Sequence, residues 1–151
     1  MNLIKTIEQF NTDYVYFCEP IKNNIINDGY FIRILYSSPL FMLNGVFISF
    51  NINKFHIEKY YNKYKCSFDV NECSHIIKQL CQIETNILQK IFINNKNPQH
   101  KITEQFKYGH IKIFSEYIEN NSYNTNLFML KIAGIWETET HYGLTFKFIK
   151  L

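Results

Sequence analysis

The sequence predicts a mainly β fold with one long helix (α+β), either an OB-like barrel or a β-sandwich, with the helix at about residues 70–92 between strands. Most segments rich in Ile, Tyr and Phe alternate apolar and polar residues, which is the period of a half-buried strand. Only one long segment repeats its apolar residues every three or four positions, as a helix does. With 151 residues, 46% of them hydrophobic, residues 1–151 are expected to form a single domain.

The part of the chain before this helix predicts one short helical turn and four extended segments. The helical turn covers residues 3–10, and the extended segments are 13–19, 30–37, 40–50 and 52–66. Within 30–37, Ile32 and Ile34 share a face with Tyr30 and Tyr36. Asn44-Gly45 interrupts 40–50 and predicts either a two-residue hairpin turn or a bulge in one long strand.

The long helix is predicted to begin at about Val70 and to end at about Phe92. Asp69 is a residue type that favours the N-cap, and Glu72 three positions later completes a capping-box pattern. The apolar pattern stops before Pro98, which cannot continue a helix. We therefore place all of the helix between these two signals.

Three strands are predicted after the helix. Residues 109–118 form the first, and residues 127–136 and 142–150 form a terminal hairpin in which Trp136 packs opposite Tyr142. In the first strand of the hairpin, Gly134 and Trp136 continue the apolar face that Phe128 begins. The order of strands and helix can be laid on the plan of the five-stranded OB barrel with one extra strand at each end, and a jelly-roll-like or α+β sandwich is the alternative.

Composition and the amino-terminal residues argue against several classes of protein. No apolar run reaches the ~18 to 20 residues needed to cross a membrane, and residues 1–10 lack the apolar region of a signal peptide. We therefore expect an intracellular protein that does not contact a membrane. Asn, Ile, Lys, Tyr and Phe make up more than half of the chain, which is typical of a very AT-rich genome. This bias raises the lysine and tyrosine content whatever the function.

The sequence contains little that indicates a metal site or an enzyme active site. The best metal candidates are Cys66, Cys73, His75 and Cys81. Their spacing is unlike that of zinc sites, and residues two apart on a helix point in different directions. Phosphate-binding glycine loops, nucleophile elbows and H-E-x-x-H are absent from the sequence. We expect free thiols, no metal, no cofactor and no enzymatic activity; the alternative is a small enzyme with Cys73 or Cys81 beside a histidine.

One basic and aromatic stretch, Lys54–Lys65, predicts a surface for nucleic acid. Its lysines can neutralise backbone phosphates, and its tyrosines can stack on unpaired bases. The predicted binding residues are Lys54, Lys59, Tyr60, Tyr61, Lys63, Tyr64 and Lys65, together with Arg33. If the stretch is one strand, Lys59, Tyr61, Lys63 and Lys65 share one face, and Tyr60 and Tyr64 share the other. The alternative is a solvated sheet edge protected by lysines.

Arg33 is the only arginine in a chain whose composition favours lysine. Its planar guanidinium group suits either a phosphate or a carboxylate. A phosphate would belong to bound nucleic acid, and a carboxylate would belong to Glu19 or Glu137 in an internal salt bridge.

A second basic stretch holds Lys96, His100, Lys101, Lys107, His110 and Lys112.

Two segments of the sequence, 31–46 and 131–148, carry a resemblance to a known class of protein. The first contains Phe-Ile-Arg-Ile-Leu-Tyr-Ser-Ser-Pro-Leu and Leu-Asn-Gly-Val, and the second begins Lys-Ile-Ala-Gly-Ile-Trp-Glu-Thr-Glu-Thr-His-Tyr. Both resemble segments of small β-rich proteins of nucleocytoplasmic large (giant) DNA viruses. Some proteins of that kind are similar to the OB-fold single-stranded-DNA-binding proteins of short-tailed phages. The resemblance implies a protein of the host cytoplasm (viral factory) or the virion. Residues 146–151 differ from the acidic tail with which the phage proteins recruit partners.

The leading hypothesis is a non-enzymatic module of a large DNA virus that binds single-stranded DNA or RNA. The alternative is a virion structural or assembly protein that does not bind nucleic acid. That alternative predicts a homo-oligomer or a viral protein partner, with an interface formed by an edge strand or by the helix.

Overall fold

The computed structural model describes residues 4–23, 29–61, 63–114 and 126–151. Within these residues the chain forms short and long strands around two α-helices. In chain order the elements are β1 (Lys5–Thr6), a 3-10 turn (Thr12–Tyr14), β2 (Val15–Phe17), β3 (Ile21–Asn23), β4 (Gly29–Ser37), β5 (Met42–Leu43), β6 (Val46–Asn51), β7 (Phe55–Tyr60), β8 (Lys63–Phe68), α1 (Ser74–Ile91), β9 (Asn97–Gln99), α2 (Lys101–Lys107), β10 (His110–Ile113), β11 (Leu127–Glu137) and β12 (His141–Lys150).

The main sheet is open and has the strand order β1-β6-β11-β12-β10-β8-β7. Strand β4 pairs with β11, the short strands β2, β3 and β5 pair with β4, and β9 pairs with β12. The prediction of a mainly β fold with one long helix is therefore confirmed. A closed OB-like barrel is not confirmed, because the end strands β1 and β7 are not paired with each other in the part of the chain that is described.

The long strand β11 lies at the centre of the sheet and has two partners on one side. Its first half, up to Ile132, pairs with β6, and its second half, from Gly134, pairs with β4. Ala133 is an extra residue between the halves, because Ile132 lies opposite Phe146 and Gly134 lies opposite Thr145. This β-bulge lets one strand change partners along its length.

The bulge also shifts which residues of β11 face the core. Phe128 and Ile132 are buried before it, and Ile135 is buried after it. The predicted apolar face, which continued through Gly134 and Trp136, is therefore wrong beyond residue 132, because an extra residue reverses a two-residue alternation.

The terminal hairpin is present, but its predicted aromatic pair is not. Trp136 lies opposite Gly143, and Tyr142 lies opposite Glu137. A Cβ atom on Gly143 would come within 2.8 Å of the Cζ2 atom of Trp136, so the indole ring occupies the space that a side chain would need. The predicted partner was one position away because the bulge changes the register of the hairpin.

Strand β4 joins two groups of strands. Its residues up to Arg33 pair with β11, and its residues from Ile34 pair with β2 and β5. Asn44-Gly45 separates β5 from β6, which pair with different strands, so it is neither the hairpin turn nor the bulge that the sequence suggested. Gly45 has a φ of +117°, which a residue with a side chain rarely adopts.

Helix α1 packs on the core through the apolar residues Leu80, Ile83, Ile87 and Leu88. It begins four residues later than predicted. The Asp69 carboxylate accepts hydrogen bonds from the backbone N–H groups of residues 71 and 72, at 2.8 and 3.4 Å, and so closes a turn that precedes the helix. Short polar side chains favour such turns as strongly as they favour helix caps.

Helix α2 was not predicted, and a buried carboxylate holds its amino-terminal end. Glu84 of α1 is completely buried. Its Oε2 atom accepts a hydrogen bond from the Ile102 backbone N–H at 2.8 Å, and its Oε1 atom accepts two from the N–H and hydroxyl of Thr103 at 2.9 and 2.7 Å. The carboxylate thus satisfies helix-terminal donors that have no partner within α2.

Three other predictions differ from the structure or fall outside it. Residues 5–6 form β1, which pairs in parallel with β6, instead of the short helix predicted over 3–10. Residues 13–14 belong to the 3-10 turn, so β2 starts only at Val15. The end of the predicted 109–118 strand, from residue 115 on, lies outside the described residues. In the described ranges neither helix combines the length and the apolar character of a membrane span.

Candidate nucleic-acid interface

The basic stretch 54–65 forms a β-hairpin, not a single strand. Strands β7 and β8 pair antiparallel, with Tyr60 opposite Lys63 and Lys59 opposite Tyr64. Tyr61 lies in the turn with a φ of 56°, a left-handed conformation that reverses the chain. The predicted division of faces is therefore wrong: Lys63 and Lys65 share a face with Tyr60, and Lys59 shares the other face with Tyr64.

Strand β10 extends this hairpin into three strands and adds a further lysine. Lys112 lies directly opposite Lys65 on β8. The alternation of side chains places Glu58, Tyr60, Lys63, Lys65, His110 and Lys112 on one face, which we call the basic face. On the opposite face of the same strands, Ile57, Cys66, Ile111 and Ile113 are buried in the core. The core thus fixes which side chains point outward.

A groove of about 860 Å³ lies on the basic face. Its size is within the range of about 300 to 1,000 Å³ that is common for ligand sites. It is lined by Glu58, Lys59, Tyr60, Tyr61, Lys63, Tyr64, Lys65, Gln105, His110 and Lys112. Six of the eight residues that the sequence predicted for nucleic-acid binding therefore line the groove: Lys59, Tyr60, Tyr61, Lys63, Tyr64 and Lys65, although Lys59 and Tyr64 belong to the opposite face of their strands.

The groove is positively charged. Its lining contains four lysines and one glutamate. The carboxylate of Glu58 lies 3.9 Å from the Lys65 amino group, and both side chains are about half exposed, so water screens this pair. Contact with the amino group of Lys63 lowers the pKa of Lys112, and desolvation by burial lowers it further. Each of two neighbouring positive charges destabilises the charged form of the other, and an anion bound between them would stabilise both.

Exposed aromatic rings lie beside these cations. The side chains of Tyr60 and Tyr61 are 64% and 82% exposed, and their ring centroids are 4.7 Å apart at an angle of 80°. Tyr108, which is 69% exposed, stacks on the imidazole of His110 with 6.5 Å between centroids. Tyr64, in contrast, is partly buried and packs against the core. The exposed rings offer π-faces to a ligand next to positive charge.

Two predicted residues lie elsewhere. Lys54 lies at a separate, smaller groove with Asn53 and Glu72. Arg33 is exposed on β4, and the three strands β11, β12 and β10 separate it from β8. The predicted salt bridge with Glu137 is wrong, because Glu137 pairs with Lys96 at 2.6 Å. Among the described residues Arg33 has no carboxylate within ion-pair distance, so neither predicted role is shown by its position.

The sequence did not assign Gln105, His110 and Lys112 to this site. The Gln105 side-chain oxygen accepts a hydrogen bond from the Lys112 backbone N–H at 3.1 Å, which joins α2 to β10 beside the groove. His110 and Lys112 belong to the second basic stretch that the sequence did contain. Their place next to Lys65 depends on a strand pairing between residues 43 to 47 positions apart in the sequence, which no local pattern predicts.

The cysteines are dispersed over several elements. Burial raises the pKa of the Cys66 thiol to about 12, which disfavours the thiolate form that metals and nucleophilic catalysis need. Cys73 immediately precedes α1, and His75 and Cys81 lie within it. Burial also raises the pKa of the Cys81 thiol, and a hydrogen bond with Thr103 only partly offsets this. Within the described ranges no group of three or more His, Cys, Asp or Glu side chains is placed to hold a metal ion.

The groove thus combines lysines that attract anions with exposed rings that can stack. Lysines of this kind can contact phosphates, and exposed tyrosine rings can stack on unpaired bases. Comparison of the chain with protein-family models, with curated proteins and with solved structures finds no match.

Proposed function

We propose that the protein is a non-enzymatic module that binds single-stranded nucleic acid in the groove of the basic face. In this proposal the open sheet acts as an OB-like surface, with lysines on the phosphates and tyrosines on the bases. The resemblance of residues 31–46 and 131–148 to small proteins of large DNA viruses agrees with such a role.

The observation that carries the proposal is the convergence of charge and aromatic rings in one groove. Lysine and tyrosine are abundant throughout the chain, so their number alone means little. Their placement is more informative, because Lys65 and Lys112 lie directly opposite each other on neighbouring strands. Like charges at such positions destabilise a sheet, and a bound polyanion offsets that cost.

Unpaired bases fit this groove better than a duplex does. Tyr60 and Tyr61 project their rings at the tip of the hairpin and are largely exposed. Bases of a duplex already stack on their neighbours and expose only their edges, whereas an unpaired base can leave its stack for a protein ring. A plain solvated edge would need the lysines but not the neighbouring rings.

The test is fluorescence anisotropy of a labelled oligothymidylate over a salt series. For single strands the slope of log affinity against log salt is about −0.7 per phosphate that is neutralised. We expect the triple variant Lys63→Gln, Lys65→Gln, Lys112→Gln to bind more weakly and to make this slope shallower by about 2. Lys22→Gln with Lys78→Gln, two exposed lysines on β3 and α1, is the charge control. No binding at low salt would contradict the proposal.

An assembly role is the second candidate, and one observation favours it. Tyr16, Leu40 and Met42 are 53%, 89% and 66% exposed. Tyr16 and Met42 share a face of the strands that pair with the second half of β4, since they lie opposite Leu35 and Ser37. Exposed apolar groups of this kind occur at protein contacts. Light scattering tests self-association, and a protein that stays monomeric at high concentration would count against a homo-oligomer.

A further inference from the structure

A second pair of lysines lies on the sheet beyond the groove. Lys131 of β11 and Lys147 of β12 are direct cross-strand partners, and Phe47 of β6 is the partner of Lys131 on its other side. The neighbouring residues Leu130 and Phe148 are buried, so these three side chains project from the opposite face of the sheet.

Each of these lysines lies over an aromatic ring. The Lys147 amino group is 5.5 Å from the centroid of Phe114, which is 41% exposed and directly follows β10. The Lys131 amino group is 5.8 Å from the centroid of Phe47. The surface therefore repeats the combination of cation and ring that is found in the groove.

This surface is continuous with the groove. Ile113 of β10 pairs with Phe148 of β12, and both are buried. Lys112 and Lys147 each precede one of these residues, so they project from the outer face of neighbouring strands. From Lys65 the row crosses β10, β12 and β11 and reaches Phe47 on β6, a distance of about 19 Å at ~4.8 Å between strands.

The charges along the row are unbalanced. Lys131 and Lys147 make no ion pair with a carboxylate of the described residues. The row therefore contains two like-charged cross-strand pairs, Lys65 with Lys112 and Lys131 with Lys147. Both pairs weaken the free protein, and one ligand with phosphates at regular intervals would stabilise both.

We infer that bound nucleic acid leaves the groove at Lys112 and continues across the outer face of the sheet along Phe114, Lys147, Lys131 and Phe47. The inference rests on the proposed function and defines its ligand as an extended single strand that must be long enough to occupy both parts. Sites on comparable surfaces cover about 4 to 16 nucleotides.

The experiment compares oligothymidylates of about 4, 8 and 16 nucleotides by anisotropy. The wild-type protein should bind the longest one more tightly than the shortest. The variant Lys131→Gln, Lys147→Gln should bind the shortest one as the wild type does. It should bind the longest one several-fold more weakly, with a salt slope shallower by about 1.4 because two phosphate contacts are lost. The control variant Lys22→Gln, Lys78→Gln should behave as the wild type with both.

A second measurement needs no substitution on this face. Lysine acetylation, followed by mass spectrometry, should show Lys131 and Lys147 protected by the longest oligonucleotide but not by the shortest, whereas Lys63 is protected by both. Exposed Lys78 should remain reactive throughout.

The outcomes separate the two proposals. If no oligonucleotide binds at low salt, both fail. If binding occurs in the groove but affinity and protection at Lys131 and Lys147 do not depend on length, only this inference fails. If a duplex or an acidic peptide binds this face more tightly than the longest oligothymidylate, the face takes another partner and the inference is overturned.

Discussion

Tyr61 is the most exposed of the three tyrosines in the groove, and its backbone is fixed by the turn. Its ring is 82% exposed, so it contributes little to the core. Its φ of 56° is equally unusual for tyrosine and for alanine, so replacement by alanine adds no new strain. A substitution at Tyr61 can therefore change binding without changing the stability of the fold.

We therefore predict that Tyr61→Ala weakens binding of a single strand by about 1–3 kcal/mol, the value of one stacked base, and leaves the unfolding free energy nearly unchanged. Anisotropy and urea unfolding measure the two quantities. Tyr16→Ala is the matched control, because Tyr16 is 53% exposed on β2, away from the groove. Equal affinities of Tyr61→Ala and wild type would show that this ring does not stack on the ligand.

The affinity for nucleic acid in the proposed groove should depend on pH through Lys112. Contact with Lys63 lowers the pKa of Lys112, so Lys112 loses its proton at a lower pH than an ordinary lysine does. Affinity for an anionic strand should thus be greatest near neutral pH and should begin to fall, as the pH rises, at a lower pH than an ordinary lysine at position 112 would cause.

In Lys63→Gln the pKa of Lys112 should return towards that of an ordinary lysine, because its main cause of lowering is gone. The fall in affinity should then move to higher pH, although the affinity at neutral pH is weaker. Anisotropy between about pH 7 and pH 10 at constant ionic strength tests this. The same midpoint in both proteins would rule out the Lys63–Lys112 contact as the cause.

Among the secondary-structure elements, α2 depends most clearly on a single side chain. Glu84 accepts three hydrogen bonds at its first turn and is completely buried. In Glu84→Gln the side-chain NH2 group would face hydrogen-bond donors of Ile102 and Thr103, so at least one of these donors would lose its acceptor. We predict that Glu84→Gln lowers the unfolding free energy by about 1–3 kcal/mol.

Urea unfolding of Glu84→Gln should be compared with that of Glu104→Gln. Glu104 carries an equal charge on α2 but is exposed and pairs with Lys101 at 3.3 Å, so its replacement should change the stability by less than about 0.5 kcal/mol. Similar effects of the two substitutions would contradict the anchoring role of Glu84. Because Gln105 of α2 lines the groove, Glu84→Gln should also weaken nucleic-acid binding.

Element by element, local patterns were predictable and long-range pairings were not. The alternation in 30–37 and the periodicity of α1 arise within the elements themselves, and both elements are present. The hairpin tip at Tyr61 was missed because Tyr61 is not a typical turn residue, and a single asparagine beside it in a chain rich in asparagine was too weak a signal. The bulge at Ala133 was missed because it serves a change of partner strand that the local sequence does not encode.

The same distinction applies to the candidate site. Six of its residues lie within the seven consecutive positions 59–65 and could be found as a cluster. His110, Lys112, Lys131 and Lys147 join the surface only through sheet pairing. The sequence contains His110 and Lys112 in a second basic stretch, but it does not show that they lie beside Lys65, and no local pattern identifies Lys131 and Lys147. Conversely, Arg33 was distinctive in composition, yet its strand lies away from the groove.

At the scale of the whole molecule, β11 is the element on which the sheet depends most. It pairs with β12 along most of its length and with both β6 and β4 on its other side. We predict that backbone amides of β11, such as those of Leu130 and Ile132, exchange with deuterium only through global unfolding.

Amides of the short peripheral strands β1 and β9 should exchange much faster, because each strand has a single partner over two or three residues. Hydrogen exchange monitored by NMR measures both groups in one experiment. Comparable protection of β1 and β11 would mean that the sheet opens as one unit and that β11 has no special place in it.

The central position of β11 and β12 has a consequence for synthesis on the ribosome. Strands β4 and β6 emerge early but have to wait for residues 127–137 before their main partner exists. The pairing of β7 with β8 joins residues that are close in the sequence, so this hairpin can form as soon as it is made, before β10 adds to it. At about 5–20 residues per second, β4 stays unpaired with β11 for several seconds. The hairpin that carries the proposed site is thus expected to fold before the sheet that holds it is complete, and chaperones would be needed most in that interval.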